Sequence, residues 1–175
     1  MASDQKTIAE LPLPIDRDIF LRNLLRELSG TLEDVVGLEE AAGFVSIVGQ
    51  HIGEWMDREY REALGVEQLD LQQVSDVLVD LKKRIKGGFV IESIEQDRIV
   101  LKNTACPFGD RVLHRPSLCM MTSNVFGTVS AENLGYARVC LNETIAKGDH
   151  GCRVTIYLNQ NITEDPDNGR EYFKS

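Results

Sequence analysis

Four cysteines are the residues of this chain whose type most directly suggests chemistry. They are Cys106, Cys119, Cys140 and Cys152, all in the C-terminal half. In a reducing compartment, a group of cysteines is typical of a metal site, a redox site or a buried core, before any disulfide. All-sulfur ligation suits an iron–sulfur cluster or zinc. We therefore predict a metal site at these four cysteines, with an iron–sulfur cluster favoured and zinc as the alternative.

Strand alternation indicates which thiols can meet. Cys106 follows a predicted hairpin, Cys119 lies in the first turn of a predicted helix, and Cys152 opens a strand on its apolar face. These three can converge at one end of the sheet, whereas Cys140 faces the opposite way. The fourth ligand is then either Cys140, if a bulge rotates its strand, or Glu143, which alternation places toward the helix-covered core.

Two other interpretations of the cysteines stay open. Buried cysteine often behaves as a small hydrophobe, so all four can be core residues with no chemistry. Alternatively, Cys119 is a nucleophile activated by His114 or His150, which lie in loops near the cysteines. The remaining histidine, His51, falls in a helical segment and is interpreted as a packing or surface residue.

Hydrophobic periodicity predicts an α+β fold in which N-terminal helices precede a β-β-α-β-β antiparallel sheet covered by helices. Asp16 is a good N-cap for the first helix, and Asp70 with Gln73 forms a capping box for the third. The predicted helices cover residues 16–30, 38–60, 70–87 and 116–133. The predicted strands cover residues 89–94, 98–102, 136–145 and 152–158.

Three glycines interrupt the second predicted helix, at Gly43, Gly49 and Gly53. Glycine costs a helix about 1 kcal/mol relative to alanine, so the cluster indicates either a bend or close approach by another helix. The apolar positions from Ala41 to Trp55 alternate steps of four and three, which is typical of a helix-pairing seam.

Charge and composition limit the function classes. The chain has 175 residues with 28 acidic against 19 basic side chains, a net charge of -9, and no basic stripe, which disfavours nucleic-acid binding. No apolar run reaches the length of a membrane span, and the N-terminus has no signal-peptide pattern, so we expect a cytoplasmic protein. We predict a flexible arm (1–15), a helical dimerisation or bundle segment (16–66), an α+β domain (67–160) and a polar tail that frays (161–175).

The C-terminal half resembles a known family of domains. The run from Gly135 to Cys152, GYARVCLNETIAKGDHGC, is similar to the closing strands of 4-vinyl-reductase-type small-molecule-sensing domains. With Cys106-Pro-Phe-Gly109 and Cys119 included, the chain resembles the methanogen output domain, a related regulatory module. The resemblance covers roughly residues 70–160.

This resemblance implies a sensory module that dimerises through its N-terminal helices. Some relatives hold zinc through three cysteines and a glutamate, and Cys119, Glu143 and Cys152 fall near those ligand positions. Where those relatives have their other cysteine, this chain has Ala146, so Cys106 or Cys140 would have to replace it.

The leading hypothesis is a non-enzymatic sensor with a cysteine-bound metal beside an apolar pocket. The sensor would signal redox, gas or small-ligand state through a helical homodimer. A signalling protein would be a further partner. One alternative is a small cysteine-dependent hydrolase, because thiazoline-carboxylate hydrolases look distantly similar in this region. The other alternative is a metal-free ligand-binding scaffold.

Overall fold

The fold combines four α-helices with one antiparallel sheet of five strands. The structure is a computed structural model that describes residues 12–162 and 169–175, so most of the predicted arm lies outside the described residues. The helices are α1 Arg17–Val36, α2 Leu38–Leu64, α3 Leu71–Arg84 and α4 Cys119–Leu134. The strands are β1 Val90–Ile94, β2 Arg98–Asn103, β3 Tyr136–Glu143, β4 Cys152–Tyr157 and β5 Arg170–Phe173. This arrangement confirms the α+β prediction.

The strands lie in the order β1-β2-β4-β3-β5, and every neighbouring pair is antiparallel. The prediction of a fraying polar tail is wrong for β5, which pairs with β3 and forms one edge of the sheet. Tyr172 holds this strand in place, because its ring packs against Gly127 of α4 and its hydroxyl lies 2.9 Å from the hydroxyl of Ser123.

The main core lies between one face of the sheet and helices α3 and α4. Leu78 of α3, Phe126 of α4 and Ile156 of β4 are fully buried there. The rings of Phe89 and Phe126 meet edge to face with centroids 5.3 Å apart, which adds a directional contact to the burial. Helix α2 packs on the outer side of α4, so α4 has neighbours on several sides.

Helix α1 extends beyond the predicted stop at Gly30. Gly30 is buried inside the helix, and a Cβ atom there would lie 2.7 Å from the guanidinium of Arg115. This glycine therefore makes room for a side chain rather than ending the helix. The helix ends instead at Gly37, whose φ of 86° is favourable for glycine alone. The capping box at Asp70 and Gln73 is confirmed.

Close helix approach explains two of the three glycines in α2. A Cβ atom at Gly49 would lie 2.8 Å from Cβ of Asn124, and one at Gly53 would lie 2.9 Å from Cβ of Thr128. A Cβ atom at Gly43 would meet nothing within 4 Å. The prediction of close approach is thus confirmed for Gly49 and Gly53, and the approaching helix is α4.

No helix within residues 12–162 and 169–175 has both the length and the apolar character that are needed to cross a membrane.

We expect Gly53→Ala to destabilise the protein by about 1–3 kcal/mol, because the added methyl group forces α2 away from Thr128. The matched control is Gly43→Ala in the same helix, which we expect to be neutral or to stabilise by up to about 1 kcal/mol. Urea denaturation of both variants measures the difference. Equal stabilities would contradict close packing of α2 on α4.

Candidate functional site

Three of the four cysteines line one small, partly enclosed cavity at the end of the sheet. Cys106, Cys119 and Cys152 contribute to its wall, and its volume is about 30 Å³. Apolar side chains supply much of the remaining surface. They include Phe89, Phe108, Leu118, Leu141 and Val154.

Each thiol reaches the cavity from a position at or just beyond the end of an element, as the sequence positions predicted. Cys106 follows β2, and its carbonyl accepts a turn hydrogen bond of 2.9 Å from the backbone N–H of Gly109. Cys119 is the first residue of α4. Cys152 opens β4, where its backbone N–H donates to the Asn103 side-chain oxygen at 3.0 Å.

Cys140 does not join these thiols, so the predicted group of four is not brought together. It lies opposite Thr155 in the sheet, on the face away from α3 and α4, and it is fully buried beneath Gly169. The bulge that was needed to rotate the strand exists, but it occurs between Leu141 and Glu143, after Cys140.

The same bulge corrects the expected position of Glu143. The extra residue, Asn142, reverses the alternation, so Glu143 lies opposite Arg153 and is exposed. It therefore does not face the helix-covered core, and it is not among the residues that line the cavity. Thr155 donates a hydrogen bond of 2.8 Å to the Asn142 side chain, which holds the bulged residue.

The residues at the cavity do not form a metal-binding arrangement. Within the described parts of the chain, no group of three or more His, Cys, Asp or Glu side chains is placed to hold one metal ion. We therefore derive no step through a metal. The iron–sulfur cluster and zinc stay predictions.

Burial keeps the three cavity thiols protonated at neutral pH. Desolvation raises the pKa of Cys106 and Cys152, and it raises the pKa of Cys119 to about 12. The thiolate is the nucleophilic form of cysteine, so these residues are poorly suited to nucleophilic catalysis.

The histidines do not supply the missing base. His114 and His150 are exposed, and neither lines the cavity. The structure therefore does not bring Cys119 and a histidine together at this cavity, as the hydrolase alternative requires. His51 is exposed on α2, as the sequence indicated.

A buried lysine beside the cavity was not expected from the sequence. The side chain of Lys82 is 3% exposed, and its ammonium donates to the hydroxyl of Thr122 at 2.8 Å. The same nitrogen lies 5.1 Å and 5.8 Å from the ring centroids of Phe126 and Phe89. The available signal was its position four residues after Leu78, on the apolar stripe of α3, but it lies in the run Lys82-Lys83-Arg84, which is typical of an exposed helix end.

The electrostatic surroundings of Lys82 are unusual for a buried cation. Among the described residues no carboxylate lies within ion-pair distance of its nitrogen. Desolvation lowers the pKa of Lys82 to about 8, and the nearby thiols of Cys106, Cys152 and Cys119 counteract only part of that shift.

The segment that closes the cavity, residues 104–118, is held by α1. The Arg26 guanidinium donates to the carbonyls of Arg111 and Leu113 at 2.6 and 2.9 Å. Farther along α1, Glu33 accepts a hydrogen bond from the Ser117 hydroxyl and pairs with Arg115 at 3.8 Å. A shift of this connecting segment therefore acts directly on α1.

A larger cleft of about 380 Å³ lies between α2 and α3, where Trp55, Tyr60 and Arg84 are among its lining residues. It has no thiol in its wall. Its charged residues already have partners, since Arg84 donates to the Asp80 carboxylate at 2.6 Å and Glu59 accepts from the indole N–H of Trp55 at 3.1 Å. The thiol-lined cavity is therefore the stronger candidate site.

A family model for methanogen output domain 1 matches residues 24–157, which is most of the chain. The chain belongs to this family. The match includes the three cavity cysteines, Lys82 and the connecting segment. No curated protein matches the chain significantly.

Solved structures with a similar fold come from several protein classes. The phenol-responsive sensory domain of the transcription activator PoxR, determined with phenol, has a TM-score of 0.60 and 15% identity, covering 89% of this chain and 81% of that one. Trafficking protein particle complex subunit 3 from Naegleria fowleri, covalently bound to palmitic acid, has a TM-score of 0.55 and 12% identity, covering 89% of this chain and 99% of that one. An Fe(II) unliganded mutant of the H-NOX protein from K. algicida has a TM-score of 0.56 and 15% identity, covering 86% and 78%. At these identities the likeness shows a shared fold.

We expect Lys82→Met to stabilise the protein at pH 7 by up to about 3 kcal/mol, because the folded state then buries no uncompensated charge. The folded pKa of Lys82 lies below its unfolded value of 10.5, so between pH 8 and 10.5 the unfolded state binds more protons. Wild-type stability therefore rises with pH relative to the variant, and the difference shrinks above pH 8.

Urea denaturation at pH 7 and pH 9 tests this prediction, with the exposed neighbour Lys83→Met as the control. The thiols ionise in the unfolded state around their ordinary pKa of about 8.5 in all three proteins, so their contribution cancels in the comparison. If the free energies of unfolding of wild type and Lys82→Met differ by the same amount at both pH values, a buried, charged Lys82 is contradicted.

Proposed function

We propose that this chain is a non-enzymatic sensory module that responds to a small molecule in the thiol-lined cavity. The observation that carries the proposal is the double role of the connecting segment, residues 104–118. It closes the cavity through Cys106 and Leu118, and it is bonded to α1 through Arg26. Occupancy of the cavity thus has a physical route to the outer helices.

A sensory role fits this chain better than an enzymatic one. The family is an output-domain family, and the fold is shared with the sensory domain of PoxR. The cavity thiols are kept protonated, and no histidine lines the cavity. A catalytic site needs an activated nucleophile or an acid–base pair within reach of the substrate.

We further propose that α1 and α2 form the surface of a homodimer. Ser29 and Gly30 are the buried residues of α1, whereas most of its large apolar side chains are exposed. The exposed set on the two helices includes Phe20, Leu21, Leu24, Leu25, Leu28, Phe44, Ile47 and Val48. Apolar exposure of this extent is typical of an interaction surface, and the resemblance to dimeric sensory domains favours a second copy as the partner.

We expect Leu28→Glu to weaken the dimer strongly, because Leu28 is 58% exposed on α1 and a carboxylate there opposes apolar burial. The matched control is Val90→Glu, at a residue that is 49% exposed on the edge strand β1. Sedimentation velocity measures the oligomeric state of both variants. A monomeric wild type, or equal behaviour of the two variants, would contradict the proposed interface.

Coupling between the cavity and the helices is tested with methyl methanethiosulfonate, a small thiol-directed probe. A cysteine thiolate attacks its sulfenyl sulfur and methanesulfinate leaves, so each cysteine that reacts gains one S-methyl group as a methyl disulfide. The chain's only tryptophan, Trp55 on α2, reports the response by fluorescence. We expect the emission and the dimer dissociation constant to change on modification.

Two variants test whether the response comes from the three cavity cysteines or from Cys140. Cys140→Ser keeps the three cavity thiols and should respond like wild type, because Cys140 lies on the other face of the sheet. The triple variant Cys106→Ser, Cys119→Ser, Cys152→Ser should show no response. If mass spectrometry confirms modification of the cavity thiols while fluorescence and dimerisation stay unchanged, the cavity is not coupled to the helices and the sensory proposal fails.

A further inference from the structure

The ammonium group of Lys82 has unused hydrogen-bonding capacity. It has three N–H donors, and among the described residues Thr122 is the acceptor for one of them. Two aromatic faces partly compensate the charge, but no described carboxylate neutralises it. A buried cation in these surroundings is destabilising unless an anion accompanies it.

A buried hydroxyl at the cavity has no hydrogen-bond partner among the described residues. Thr144 lines the cavity and is 3% exposed, and its hydroxyl has no hydrogen-bond partner among the described residues. The Thr144 backbone is fixed, since its N–H donates to the Asp149 carboxylate at 2.7 Å. Buried hydroxyls in native proteins nearly always have a partner, so this one indicates an absent hydrogen-bonding group.

The size of the cavity limits what that group can be. A volume of about 30 Å³ has room for about two or three non-hydrogen atoms. A water molecule satisfies the Thr144 hydroxyl but leaves the charge of Lys82 uncompensated. A small anion satisfies both groups, and the apolar wall then separates it from bulk solvent, which strengthens its attraction to the ammonium.

We propose that the cavity binds a small singly charged anion of about three non-hydrogen atoms, attracted by Lys82 and hydrogen-bonded by the hydroxyls beside it. This inference rests on the proposed function, because it names the ligand class of the same cavity. The hydroxyl of Thr122 orients the ammonium at 2.8 Å, and Thr144 supplies a further donor. The net charge of -9 on the chain disfavours non-specific anion binding at its surface.

Formate and formamide test this proposal, since they have nearly the same size and shape but differ in charge. Isothermal titration calorimetry of the full chain is done in gluconate salts, so that chloride does not compete for the site. We expect formate to bind with a stoichiometry of one per chain and formamide to bind at least about tenfold more weakly.

Variants identify the groups that hold the anion. Lys82→Met should lower formate affinity by at least about tenfold, because it removes the charge and keeps most of the length. Thr144→Val, which removes the hydroxyl with little change of shape, should lower the affinity by about fivefold. The control Lys83→Met, at the exposed neighbouring lysine, should bind formate like wild type.

Three results would overturn the anion site. They are equal binding of formate and formamide, equal loss in the Lys82→Met and Lys83→Met variants, and binding of neither probe, in which case the cavity holds water only. If neither probe binds but methyl methanethiosulfonate still changes Trp55 emission, the anion site fails and the sensory proposal stands. If formate binds through Lys82 but modification of the thiols has no effect, the anion site stands and the sensory proposal fails.

Discussion

The side-chain amide of Asn133 holds the helices of the core in a single arrangement. Its Nδ2 donates to the buried carboxylate of Asp57 on α2 at 2.5 Å and to the carbonyl of Val129 at 2.8 Å. Its oxygen accepts from the backbone N–H of Leu69, two residues before α3, at 2.8 Å. A buried carboxylate and a buried amide are tolerated only when such partners are present. Helices α2, α3 and α4 therefore cannot slide past one another without breaking this group.

Fixing the C-terminal end of α4 also fixes its other end, where the site lies. Glycines allow the neighbours of α4 to approach closely. Gly49 and Gly53 of α2 lie against one side of α4, and Tyr172 packs on Gly127 of α4. With the rotation of the helix set in this way, Cys119 and Thr122 reach the cavity. The placement of the candidate site thus depends on packing that is well removed from it.

Local rules predicted what depends on neighbouring residues. The capping box at Asp70 follows from the two residues that form it, and the direction of Cys152 follows from alternation along β4. Family membership was also predictable, because the motifs around Cys106 and Cys152 are short and contiguous. These features need no information from distant parts of the chain.

Features that depend on contacts between distant parts of the chain cannot be predicted from local patterns. Strand β5 forms because Tyr172 finds Gly127 and Ser123, which lie more than forty residues earlier in the chain. The bulge at Asn142 leaves no strong local signal, yet it moves Glu143 to the other face. The burial of Lys82 likewise cannot be inferred from a run of three basic residues at a helix end.

A second group of buried polar side chains lies beside an irregular part of the chain. Thr122 and Thr144 line a cavity that is closed by the connecting segment, residues 104–118, and Lys82 lies behind Thr122. That segment is not held by a sheet ladder, and α1, to which it is bonded, has little buried surface of its own. A change in the charge balance inside the cavity therefore acts on the part of the fold that can move at least cost. The hydrogen bonds around Asn133 hold α2, α3 and α4 together, so α1 is the first helix on which the change acts.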